Sequence, residues 1–167
     1  SNFKSYLLNN IKNGNVAKST VELTFFPSLK VKSYKFNGRV EKTNIKIKEK
    51  VSLNNINFNF VVDEKIFLIN AIAANFKNIK ITEGKINVNR KNQLFIKGSF
   101  KSHINIDSIS NIKKLIPYSI PSNINNIKLK GEFLNKFDLK LSDSLEILDY
   151  NYLLDGSILN SKLNLKN

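Results

Sequence analysis

The stretch Lys77–Phe100, "KNIKITEGKINVNRKNQLFIKGSF", decides the fold. Ile79 and Ile81 are apolar, and Lys80 and Thr82 beside them are polar. Ile86 and Val88 repeat the pattern after Gly84. Leu94, Ile96 and Phe100 repeat it again after "NRKN". A period of two is the signature of a strand with one buried and one wet face. "NRKN" is short enough to join the last two strands as an antiparallel hairpin.

The same alternation extends in both directions. Upstream, Val21, Leu23 and Phe25 alternate with Thr20, Glu22 and Thr24, and Pro27 closes that strand. Phe36, Gly38 and Val40 alternate with Lys35, Asn37 and Arg39, and Ile45 and Ile47 flank Lys46. Val51 and Leu53 are followed by Ile56, Phe58 and Phe60. The slip from odd to even between Leu53 and Ile56 predicts a bulge or short bend. Asp63-Glu64 reads as a turn, and "NAIAANF" as strand. Downstream, "NIKLKGEF", "KFDLKLS", "LEILDYNYLLDG" and "SILNSKLNL" read as further strands.

Two segments carry a helical period instead. Phe3, Leu7 and Ile11 are spaced i, i+4, i+8, and Asn13-Gly14 follows as a stop, which predicts a helix over about 2–12. "DSISNIKKLIP" predicts a second over about 107–116, with Asp107 as N-cap, Ile109, Ile112 and Ile116 as the stripe, and Pro117 ending it. The expectation is therefore mainly β: an elongated, curved, mostly antiparallel sheet of about a dozen short strands with two short helices. Helices this short cannot cover such a sheet. The apolar faces must meet one another or a ligand.

Composition narrows the function classes. The chain has 167 residues, a net charge of +14 and 41% hydrophobic residues, with no Cys, Met or Trp. Thiol and disulfide chemistry are excluded. No apolar run is long enough to span a membrane as a helix. The charge does not read as nucleic-acid recognition. Arg39 and Arg90 are the only arginines among the 27 basic residues, and arginine is the residue that reads phosphate and base edges bidentately. Lys, Asn and Ile share A/T-rich codons, which accounts for the excess of all three.

Reactive groups are scarce. The single histidine, His103, has no cysteine partner or obvious second ligand and reads as a surface or capping residue. Asp143, Glu146, Asp149 and Asp155 do not match a calcium loop. No phosphate loop, dinucleotide fingerprint, nucleophile elbow or zinc motif is present. We expect no catalytic residue, no metal site and no cofactor. Phe25, Phe36, Phe58, Phe60, Ile81, Ile86, Val88, Leu94, Ile96 and Phe100 fall in the apolar phase of their strands. They are candidates either for a core or for the lining of a groove for acyl chains.

The order of these features resembles a known family. "FKSYLLNNIKNGNVAKSTVEL", the strand run "VSLNNINFNFVVDEKIFLINAIAANFKNIKITEGKINV" with "LFIKGSF", and "DSISNIKKLIP" followed by "INNIKLKGEFLNKFDLKLS" are similar to the AsmA-like envelope proteins, most closely their YhdP branch. The resemblance implies an inner-membrane-anchored protein of a Gram-negative periplasm. It also implies a curved sheet with a greasy channel that carries phospholipid towards the outer membrane, and no enzymatic activity. The chain starts "SNFKSYLL" and stops in "SKLNLKN", so we expect a single strand-rich section, 1–167, of a longer protein, with any membrane anchor in segments outside it. Two non-enzymatic alternatives stay open: an envelope scaffold with a closed β core, and a β-solenoid passenger, which should show parallel coils and a repeat of about 20 residues.

Overall fold

The computed structural model describes residues 11–48, 51–90, 93–111, 121–142 and 144–165. They form eight strands: β1 (Ile11–Phe25), β2 (Val31–Lys48), β3 (Val51–Asp63), β4 (Phe67–Phe76), β5 (Ile79–Arg90), β6 (Leu94–Ile106), β7 (Ile124–Leu141) and β8 (Ile147–Leu165). All eight belong to one sheet in sequence order, and each pairs antiparallel with its chain neighbours. The sheet is not closed, so β1 and β8 are its two edges. An antiparallel meander excludes a parallel solenoid coil.

The mainly β, antiparallel expectation holds, with three corrections. The strands number eight among the described residues, and several are much longer than expected, up to 19 residues. The helix expected over 2–12 does not reach its end: Ile11 and Lys12 open β1, and residues 2–10 lie outside the described residues. Gly14 is not a helix stop. It sits inside β1 against Thr43, too close for a side chain at that position. Of the second helix, residues 109–111 are helical, and 112–116 lie outside the described residues. Asp107 binds the side-chain amide of Asn111 there.

Bulges explain why strands that looked short are long. Lys42, Asn55, Ala71 and Glu83 have left-handed φ of 54°, 51°, 51° and 53°. Each is one residue inserted relative to both neighbouring strands, on the consecutive strands β2, β3, β4 and β5. An inserted residue flips the parity of the apolar pattern while the strand runs on. In the pairs β2–β3, β3–β4 and β4–β5 the insertion on one strand is offset by that on the next, so the register is the same on either side of the two bulges. A bulge leaves backbone amides without ladder partners, and asparagine side chains take that place. Asn44 N–H donates to Asn13 Oδ1 at 3.1 Å, Asn55 N–H to Asn44 Oδ1 at 3.0 Å, and Lys42 N–H to Asn57 Oδ1 at 3.0 Å.

Residues opposite one another across a ladder share a face, so the registers carry each face across the sheet. One row is apolar on all eight strands: Val21, Phe36, Val62, Phe67, Val88, Ile96, Leu139 and Tyr150. The adjacent row on the same face runs Ser19, Gly38, Phe60, Ile69, Ile86, Gly98, Phe137 and Tyr152. Here the Phe60 ring lies over Gly38 of the next strand, where an added Cβ would meet it at 2.8 Å. The row between them on the other face is largely polar: Thr20, Asn37, Val61, Leu68, Asn87, Lys97, Asp138 and Asn151.

Burial separates the faces further. The buried residues are Thr43, Ile56, Ala74, Gly84, Val88, Ser102, Ile106, Gly131 and Asn135. The registers place every one of them on the apolar face. No second sheet covers that face among the described residues.

Candidate functional site

The apolar face is concave. A cavity of about 390 Å³ on it is lined by Leu53 of β3, Phe76 of β4, Ile81 of β5, Phe100 of β6, Phe133 of β7 and Leu154 of β8. In a flat sheet β3 and β8 would stand about 24 Å apart, five strand spacings. Their side chains border one cavity because the sheet curls towards this face. Bulges on four consecutive strands are the local cause, since each adds twist and bends its strand.

All ten residues singled out from the sequence fall on this face. Phe36, Val88 and Ile96 belong to the fully apolar row, and Phe60 and Ile86 to the row beside it. Phe58 pairs with Val40, and Leu94 with Leu141. Ile81 pairs with Ala74 and Ser102, and Phe100 with Asn135. Phe25 continues the phase of Leu23 at the end of β1. They do not form one compact cluster. Ile81 and Phe100 line the central cavity, whereas Phe25 lies at an open edge and is 50% exposed.

The face stays open where the edge strands carry it. Val21, Leu23, Tyr152 and Leu154 are 49–54% exposed. A contiguous apolar surface of this extent is unusual for a protein that binds nothing through it. Among the described residues no strand pairs with the outer side of 15-residue β1 or of 19-residue β8.

Three polar residues on this face were not singled out from the sequence. Asn135, Ser102 and Thr43 are 3%, 7% and 1% exposed. The signal for Asn135 was its position in the apolar phase of β7, between Phe133 and Phe137.

The outer, convex face carries lysines and scattered ion pairs. Lys97 pairs with Asp138 at 3.3 Å, and Lys101 with Glu83 at 2.7 Å. His103 lies within β6 rather than before a cap. Its Nε2 is 3.0 Å from Thr82 Oγ1, and its Nδ1 is 3.2 Å from Glu132 Oε1. Among the described residues no group of His, Asp and Glu is arranged to hold a metal ion. No helix there is long and apolar enough to cross a membrane. No family model, curated protein or solved structure matches the chain.

Proposed function

We propose that this chain is a section of a bridge-like lipid-transfer protein whose concave face carries the acyl chains of phospholipid. The observation that carries this reading is the apolar row spanning all eight strands on an open, concave face. Burying hydrocarbon against such a surface is worth about 0.8 kcal/mol per CH₂. A face that is continuous along the sheet keeps that gain as a lipid moves, so transfer needs no reaction and no cofactor. The polar, lysine-bearing convex face stays in water.

The resemblance to the AsmA-like envelope proteins of the YhdP branch fits this reading. It extends it to a periplasmic protein, anchored in the inner membrane through segments outside this chain, passing phospholipid towards the outer membrane. Nucleic acid has no part in it.

The test is site-specific photocrosslinking. A benzophenone amino acid at Phe60 or Ile86 should crosslink to co-purifying phospholipid, and the same probe at Leu68, on the convex face, should not. Equal labelling of both faces, or none at either, overturns the proposal.

A further inference from the structure

The concave face has one built polar spot. Asn135 Nδ2 has two hydrogens and three acceptors within reach: Ser102 Oγ at 3.0 Å, the Phe133 carbonyl at 3.1 Å and the Phe100 carbonyl at 3.3 Å. Its Oδ1 accepts from the Tyr152 hydroxyl. Burying an amide is costly unless both ends are bonded, and here both ends are. Ser102 differs. Its Oγ accepts from Asn135, so its own hydrogen must go elsewhere, and the acceptor offered is the Phe133 carbonyl at 3.5 Å. That is the far limit of a hydrogen bond. The Ser102 O–H is thus an under-used donor, held in place by Asn135.

This spot borders the central cavity. Ser102, Asn135 and Tyr152 form one wall, and Leu53, Phe76 and Ile79 are among the apolar residues forming the rest. A small number of placed polar groups in an apolar pocket fixes a ligand's orientation. The volume of about 390 Å³ equals roughly a dozen waters at ~30 Å³ each. It has room for one hydrocarbon chain of about that many carbons.

We infer that the groove contains one discrete seat for a single acyl chain bearing an ester carbonyl. Ser102 Oγ–H donates to the carbonyl oxygen, and Asn135 and Tyr152 hold the serine. The inference rests on the lipid-carrying reading and adds a specificity-determining residue to it. A lipid moving along the face pauses here, its chain in the cavity and its ester at Ser102.

The experiment compares methyl dodecanoate with dodecane, each displacing 1-anilinonaphthalene-8-sulfonate from the chain. One hydrogen bond should favour the ester by about five- to tenfold. Ser102→Ala should abolish that preference, read as the ratio of ester to dodecane displacement in the same variant, and Ser102→Thr, which keeps the hydroxyl, should retain it. Tyr152→Phe, which loosens Asn135, should weaken it. Circular dichroism checks that each variant keeps its strands. Equal displacement by both compounds in the parent overturns the seat and leaves the carrier reading standing. Displacement by neither overturns both. A preference that persists in Ser102→Ala assigns the ester to another group and overturns the role of Ser102.

Discussion

The backbone N–H of Lys42 donates to Oδ1 of Asn57 at 3.0 Å, at the point where β2 carries one residue more than β3. Asn57 Nδ2 in turn donates to the Asn55 carbonyl at 3.1 Å, beside the insertion on its own strand. One side chain thus serves two bulges. Asn57→Leu should destabilise the chain by about 0.5–1.5 kcal/mol, the net worth of such a bond, with exposure holding the cost at the lower end. Asn59→Leu, two residues along the same strand, removes no side-chain bond among the described residues and should change stability little. Urea denaturation of both variants checks the contrast, and equal losses would remove the bulge-holding role from Asn57.

Ala71 is the inserted residue of β4, with φ of 51°. An L residue with a Cβ pays about 1–2 kcal/mol in this region, and glycine does not. Glycine costs back about 0.5–1 kcal/mol through its freedom in the unfolded chain. Ala71→Gly should therefore be neutral to stabilising by up to about 1.5 kcal/mol. Ala74→Gly on the same strand, a buried position outside the bulge, should destabilise. Thermal melts of the two variants decide it.

These bulges mark where the sequence stopped being legible. The faces were legible, because alternation within a strand fixes which residues share a side, and antiparallel pairing transfers that side to the next strand. All ten groove candidates accordingly share one face. The slip between Leu53 and Ile56 was also legible, and the inserted residue there, Asn55, is a type that tolerates left-handed φ. Lys42, Ala71 and Glu83 do the same without any such signal. Their strands therefore read as several short ones, and the curvature they produce was not quantifiable. The polar spot was hidden for another reason. In a chain so rich in asparagine, Asn135 resembles the composition around it, and only the register shows it facing Phe100 and Leu154.

The turn between β3 and β4 should respond to acid. Asp63 Oδ1 accepts the backbone N–H groups of Lys65 and Ile66, both at 2.7 Å. The Lys65 bond, then the Ile66 bond, hold its carboxyl below the usual value of 3.8, and the Lys35 charge adds to them. A carboxylate with a depressed folded pKa contributes stability above its unfolded value and loses it as pH falls through the folded one. Carboxyl NMR should show a midpoint below 3.8 for Asp63, with the amide signals of Lys65 and Ile66 moving at the same midpoint. A midpoint above 3.8 would mean that those bonds do not hold in solution.

The open-groove and closed-core readings part at two neighbouring residues of β5. Ile86 and Val88 share the concave face, but Ile86 is half-buried, whereas Val88 is 7% exposed. An aspartate at position 88 would bury a charge without a partner, which costs several kcal/mol and should unfold a domain of ordinary stability. At position 86 the carboxylate keeps access to water if the face is open, so Ile86→Asp should retain its strands and lose only a few degrees of Tm. It should still place a charge where acyl chains lie, so phospholipid crosslinking from Phe60, its neighbour but one in the same row, should fall sharply. The paired readout is thermal stability and crosslinking in each variant. Should Ile86→Asp unfold as completely as Val88→Asp, with no lipid crosslink in the parent, the face is sealed in solution, and the envelope-scaffold reading replaces the carrier.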